Sequence, residues 1–176
     1  MTLSPVLFST VRRRRQNPKA NDDWETPPDI FEDLDRQFAF TLDAAASRHN
    51  SKLPRYWSQE DDALTKDWQG ERIWLNPPYS LVAHFMKKAA TEPMKDNDCR
   101  VVLVAARIDT EWWHRWVMPY AAEVWTVYGR IHFLKNGQKV AGAAFPSAIV
   151  IYEPGKRLGS YLTVREYVQP RLRKKG

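Results

Sequence analysis

Apolar residues along this chain recur with two different periods. Behind Thr26, Pro27 and Pro28, the positions Ile30, Phe31, Leu34 and Phe38 share one helical face, so a helix capped by Thr26 with prolines in its first turn is predicted there. Phe38 to Asp43 then alternates and predicts a short strand that ends on a carboxylate and runs into Ala44-Ala45-Ala46. Pro54 to Ser58 suggests a second short strand, and Arg72-Ile-Trp-Leu75 a third. Leu81, Val82, Phe85, Met86 and Ala89 mark an amphipathic helix, followed by a polar loop from Glu92 to Asp98. Arg100 to Ala106 is almost continuously apolar, the pattern of a strand buried on both faces. Thr110 is expected to cap a further helix with Trp112, Trp113, Trp116 and Val117 on its buried side, and Glu123–Tyr128 and Ser147–Tyr152 read as strands. Between those two, the Gly129 to Ala144 region predicts a hairpin that turns at Asn136-Gly137. Alternating strands and helices imply an α/β sheet with one meandering end.

The 176 residues suit one domain large enough for a core without disulfides. One cysteine, Cys99, permits no internal disulfide, and His49, His84, His114 and His132 lack zinc-ligand spacing, so no metal is expected. With no long apolar run and no signal-peptide core, a soluble protein of a reducing cytoplasm is expected. Charge adds more than length does. Residues 1–23 lack an apolar period and hold Arg12, Arg13, Arg14, Arg15 and Lys19, and residues 161–176 hold five basic groups against one acid. The body from 24 to 160 between these two expected arms is mildly acidic, an arrangement that suits either a polyanion held by the ends or two solvated termini.

Asn76-Pro77-Pro78-Tyr79, directly after the strand at Ile73-Trp74-Leu75, is the stretch with chemistry in it. An exocyclic amine on a nucleobase is a poor nucleophile, because its lone pair is delocalised into the ring. Two acceptors aimed at its hydrogens, an Asn side-chain oxygen and a neighbouring carbonyl, favour a tetrahedral nitrogen and stabilise the charge that grows on it. Prolines hold such acceptors still, and Tyr79 offers a ring for a base extruded from a duplex. A plain loop after a strand has the same composition.

Other candidates surround it. Asp43, at a strand's carboxyl end before small residues, suits a positively charged ligand, or equally an ordinary helix cap. Glu60, Asp61 and Asp62 can hold a ribose diol or an adenine amine, or form a solvated turn; Asp43 and Asp62 stand about 20 residues apart, close to the spacing in dinucleotide folds. Arg130, Lys135 and Lys139 flank the hairpin and, with Arg12 to Arg15, are candidates to face DNA.

Taken in order, Trp24-Glu-Thr-Pro27, Leu42-Asp-Ala-Ala-Ala-Ser47, Asp61-Asp-Ala-Leu64, Trp74-Leu-Asn-Pro-Pro-Tyr79, Gly129-Arg-Ile-His-Phe133 and Phe145-Pro-Ser-Ala-Ile149 make the chain resemble the phage-type DNA adenine N6-methyltransferases over roughly residues 22–153. The resemblance implies a Rossmann-like fold, a mostly parallel sheet with helices on both faces and an antiparallel end. It implies S-adenosylmethionine as cofactor and a flipped-out adenine in DNA as substrate. By similarity, Trp24, Thr26 and Pro27 would lie at the cofactor's methionine end, Asp43 with Ala44 and Ala45 at its amino group or ribose, and Asp61 or Asp62 at its ribose or adenine. Asn76 to Tyr79 would be the catalytic corner. In place of a glycine-rich turn this chain has Ala44-Ala45-Ala46, which cannot readily take a positive φ, so that turn is expected to differ. Cytosine N4 methylation, methylation of a glutamine amide and a non-catalytic DNA-binding module are the alternatives that the motif itself leaves open.

Overall fold

A computed structural model describes residues 22, 24–95, 98–107, 109–140, 146–155 and 162–173. The arm with Arg12 to Arg15, Ala141 to Phe145 in the hairpin region and Phe145 motif, part of the Glu92 to Asp98 loop, and Lys174 and Lys175 therefore lie wholly or partly outside the described residues.

In chain order the regular elements are α1 (Pro28–Phe38), β1 (Leu42–Asp43), β2 (Arg72–Leu75), α2 (Val82–Thr91), β3 (Arg100–Ala106), β4 (Glu123–Tyr128), β5 (Leu134–Lys135), β6 (Gln138–Lys139), β7 (Ser147–Tyr152) and β8 (Thr163–Val168). Six strands form one sheet in the order β1-β2-β3-β7-β4-β8, and β5 pairs with β6 apart from it. All neighbours in the large sheet are parallel except those of β7, which runs antiparallel between β3 and β4. The antiparallel strand thus sits inside the sheet, and the α/β class read from the sequence holds.

The two-residue alternation of strand side chains sorts the core into two clusters. Ile73, Leu75, Val101, Val150 and Tyr152 face α2, packing on Phe85, Met86 and Ala89. Trp74, Val102, Ile149 and Ile151 face α1, packing on Ile30, Phe31 and Leu34. Helices therefore cover both faces. Trp74, 1% exposed, meets the Phe31 ring edge-on at 5.3 Å, and burying a side chain of that size contributes about 2–3 kcal/mol.

Several local expectations need correction. Pro27, not Thr26, is the N-cap of α1, and no side-chain hydrogen bond caps it. The alternation at Phe38 to Thr41 is not strand, because α1 runs through Phe38 and ends at Ala39 in the left-handed region (φ 50°). That reversal turns Phe40 into the aromatic cluster and leaves only Leu42–Asp43 to pair. Pro54 to Ser58 contributes a single parallel bridge, Tyr56 to Asp43, on the far side of β1 from β2. Thr110 does not cap with its side chain; its hydroxyl donates back to the Arg107 carbonyl (3.2 Å), and Trp113–Val117 winds as a π-helical turn.

The largest correction concerns residues 161–176. Where described, this expected basic tail supplies the edge strand β8, in register with β4 from Glu123–Thr163 to Tyr128–Val168. Its charges are used inside the fold. Arg165 pairs with Glu123 (3.2 Å), Arg171 donates to the Arg130 carbonyl (2.8 Å), and Arg173 grips Asp33 in α1.

Candidate active site

Strand alternation also aims the site. Asp43 is in register with Trp74, and Asn76 lies two residues beyond Trp74, so all three fall on the α1 side at the carboxyl ends of β1 and β2. The chain leaves β1 toward Tyr56 on one side and returns as β2 on the other, so a crevice opens at these strand ends. Trp24, Glu25 and Thr26 form its opposite wall. The resulting small, half-open cleft is lined by Trp24, Glu25, Thr26, Asp43, Ala45, Asn50, Lys52, Trp74 and Asn76.

Asn76 is held by one bond with a clear consequence. Its Nδ2 donates to the Trp24 carbonyl at 2.6 Å, which fixes the amide's orientation, since only the NH₂ end can donate to a carbonyl. The side-chain oxygen is thereby the end left to accept from a ligand. Pro77 is buried and Pro78 half-buried; the Pro78 carbonyl accepts from the Leu81 N–H (3.0 Å) and starts the short 3-10 turn Tyr79–Leu81. Asp22 accepts from the Ser80 N–H (3.2 Å), which pins that turn to the segment before Trp24. Tyr79 is 39% exposed and presents its ring at the surface next to Asn76 in the chain.

Asp43 is 3% exposed. Burial pushes its carboxyl up to about 6, although the amides of Lys52 (3.0 Å) and Ala45 (3.4 Å) both donate to it. Those two bonds fold residues 44–52 back over β1, and the chain does this without a positive φ at Ala44, Ala45 or Ala46. Ala44 itself faces the core, its amide donating to the Trp74 carbonyl (3.0 Å), and Ala45 reaches the cleft.

Of the residues expected at the cofactor, the structure gathers Trp24, Thr26, Asp43 and Ala45 around Asn76. Pro27, Ala44, Asp61 and Asp62 are not among the lining residues. Asp61 is exposed and accepts from the amide (2.8 Å) and hydroxyl (2.9 Å) of Ser58, bonds that hold its carboxyl below the usual range. Glu25, Asn50 and Lys52 line the cleft without any signal in the sequence; they arrive through the fold-back around Asp43 and the bridge at Glu25. Cys99 is fully buried among the α2-side residues, away from solvent. Among the described residues no cluster of His, Cys, Asp and Glu gathers to hold a metal, and no helix is long and apolar enough to cross a membrane.

Asn136 (φ 52°) and Gly137 (φ 72°) turn the hairpin with both central residues left-handed, the geometry for which Asn-Gly is preferred. The hairpin is joined to the cleft wall. Glu25 exchanges backbone bonds with Leu134 (2.9 and 2.8 Å) and accepts the Gly137 N–H on its carboxylate (3.3 Å), while Phe133 meets the Trp24 ring edge-on. Lys135, Lys139 and Arg130 are exposed on or beside it.

An α/β sheet with an Asn-Pro-Pro-Tyr corner beside an acid-lined cleft at its strand ends defines an amino-methyltransferase architecture. The family model described as DNA N-6-adenine-methyltransferase (Dam) matches residues 14–173, and the chain belongs to that family. It is 31% identical over 162 residues to the DNA N-6-adenine-methyltransferase of Haemophilus phage HP1, covering 86% of this chain and 94% of the relative. It is 35% identical over 106 residues to the protein of the same description in Escherichia phage T1, covering 59% of this chain and 44% of that one. A putative methyltransferase of Escherichia coli K12 is 35% identical over 68 residues, covering 35% of this chain and 75% of the relative.

Proposed function

We propose that this chain methylates the N6 amino group of adenine in DNA at the Asn76 corner, with S-adenosylmethionine held in the adjoining cleft. The observation that carries the proposal is the Asn76 amide, oriented by the Trp24 carbonyl so that its oxygen is available beside an acid-lined cleft. The family assignment favours adenine over cytosine, and it favours an enzyme over a plain DNA-binding module.

The cleft fits the donor on chemistry. A cationic ligand suits the Asp43 and Glu25 carboxylates, and the Thr26 hydroxyl is buried in the wall with no partner among the described residues. Asp43, Thr26, Trp24 and Ala45 would hold it. When bound, S-adenosylmethionine supplies a methyl group on a sulfonium centre.

The chain's own residues then do the rest. Tyr79, exposed at the start of its turn, stacks on the extruded adenine. The Asn76 oxygen accepts one amino hydrogen. The Pro77 carbonyl is the second acceptor, because that of Pro78 is already engaged by Leu81. Together they draw the nitrogen lone pair out of conjugation and stabilise its positive charge. Neither acceptor is basic at neutral pH, so the amino proton leaves to water. The Lys135 and Lys139 hairpin, with Arg130, faces the DNA backbone.

Incubating the protein with DNA and S-adenosylmethionine, then digesting to nucleosides for mass spectrometry, should give N6-methyladenine. Asn76→Ala should lower the rate by roughly 10²–10³-fold while retaining cofactor binding by calorimetry. A fully active Asn76→Ala, or N4-methylcytosine as the product, overturns the reading.

A further inference from the structure

Lys52 is a cation that the motifs do not explain. It lines the cleft beside Asp43, and its own amide donates to the Asp43 carboxylate (3.0 Å), so the loop that closes over β1 delivers its side chain to the site. Lys52 is half-buried, and burial holds its ammonium below the usual lysine range although Glu25 and Asp43 both attract it. Among the described residues no hydrogen bond or ion pair engages that ammonium. A desolvated cation held this way is unfavourable until an anion meets it.

The cleft contains a second unmet group. Thr26 is 1% exposed, and its hydroxyl has no partner among the described residues. A hydroxyl donor and an ammonium donor in one small cleft, beside a carboxylate that can receive a cation, form the complement of a zwitterion.

We propose that Lys52, assisted by the Thr26 hydroxyl, binds the α-carboxylate of S-adenosylmethionine, with Asp43 receiving the α-ammonium. This rests on the reading that the cleft takes S-adenosylmethionine, and it assigns which end of that molecule lies against the 44–52 loop. Lys52 is then a cofactor-binding residue and not a phosphate contact. The loop's fold-back around Asp43 thereby brings the two ends of the zwitterion's site together in one step.

Calorimetry with two probes separates this assignment from the broader one. S-Adenosylhomocysteine keeps the amino-acid end, and 5′-methylthioadenosine lacks it. The wild-type protein should bind S-adenosylhomocysteine more tightly than 5′-methylthioadenosine. Lys52→Met should weaken S-adenosylhomocysteine by about 10- to 100-fold, the range for a hydrogen bond to a charged group, and leave 5′-methylthioadenosine unchanged. Lys52→Arg should restore most of the loss, and Thr26→Val should show the same selectivity with a smaller effect. Equal binding of both probes to the wild type overturns the assignment while leaving the cleft as the nucleoside site. A Lys52→Met variant that weakens both probes alike, or weakens only DNA binding, also overturns it. If neither probe binds the wild type, the cofactor cleft itself is wrong and this assignment falls with it.

Discussion

Asp43 has two backbone N–H groups on its oxygens and almost no contact with water, and the second effect prevails: its carboxyl is raised to about 6. In an unfolded chain the same group titrates near about 3.9. Because the folded value is the higher one, the folded protein takes up this proton first as pH falls, so the buried charge weighs on stability above about pH 6 and ceases to do so below about pH 4. Binding follows the opposite trend. An ammonium facing Asp43 needs the ionised form, so affinity for S-adenosylmethionine should rise with pH through about 6 and be roughly tenfold weaker at pH 5 than at pH 7.5. Calorimetric titrations across that range check this, and Asp43→Asn should flatten the profile as well as lower it. An unchanged pH dependence in that variant would remove Asp43 from the cofactor's ammonium. Asn76 and Asp43 were readable from the chain because each ends an apolar strand. Lys52 was not, since nothing in its local sequence records that the Asp43 carboxylate bends the chain back by nine residues to its amide.

Among the elements, those with a long regular period were legible. β2, β3, β4 and β7 occupy the residues that their apolar runs indicate, and the Asn-Gly dipeptide placed the hairpin turn through its tolerance of positive φ. Short elements were less so. Phe38 to Thr41 alternates like a strand, yet the left-handed Ala39 ends a helix there, and tertiary packing of Phe31, Phe38 and Phe40 decides the matter over local pattern. The hairpin's attachment to Glu25 was equally invisible, since it joins residues more than a hundred positions apart. That attachment joins the hairpin carrying Lys135 and Lys139 to the cleft wall, and the proposed function has the DNA pass there. Replacing both Lys135 and Lys139 with Ala should weaken DNA binding, and should lower the steepness of its dependence on salt by roughly two counterions, about one per lost phosphate contact. Affinity for S-adenosylmethionine should not change. Filter binding or anisotropy at several salt concentrations measures the slope, and an unaltered slope would take the hairpin off the DNA.

For the molecule as a whole, the C-terminal segment matters most, because its composition suggests a solvated arm and its structure is part of the sheet. Basic residues at 165, 171 and 173 carry no period of their own; the fold uses them one at a time, against Glu123, the Arg130 carbonyl and Asp33. Asp33 is the point of closure. It lies buried on α1 and accepts from Arg173, from the Tyr167 hydroxyl (3.0 Å) and from Arg36 (2.9 Å), tying β8 and the chain beyond it to the first helix. Burial alone would raise the Asp33 carboxyl, but the bonds from Arg173 and Tyr167 together outweigh it and leave the pKa lowered. A folded value below the unfolded one means that this stabilisation is present above about pH 4 and is lost as pH falls through the folded value. Arg173 is nearly half exposed, so solvent screens part of the pair, and about 2 kcal/mol is the appropriate scale for losing the cluster. Asp33→Ala should therefore lower the melting temperature by roughly 4–8 °C at pH 7 in a chain of this length, with the deficit shrinking as pH falls below about 4. A chain ended before β8 should do worse and lose cooperative unfolding, since Trp125 stacks on Tyr167 at 6.1 Å and β4 would become a bare edge. Thermal melts followed by circular dichroism test both. If the shortened chain melted like the full one, β8 would be an ornament on the sheet, and the basic residues near the end would again be available to a polyanion.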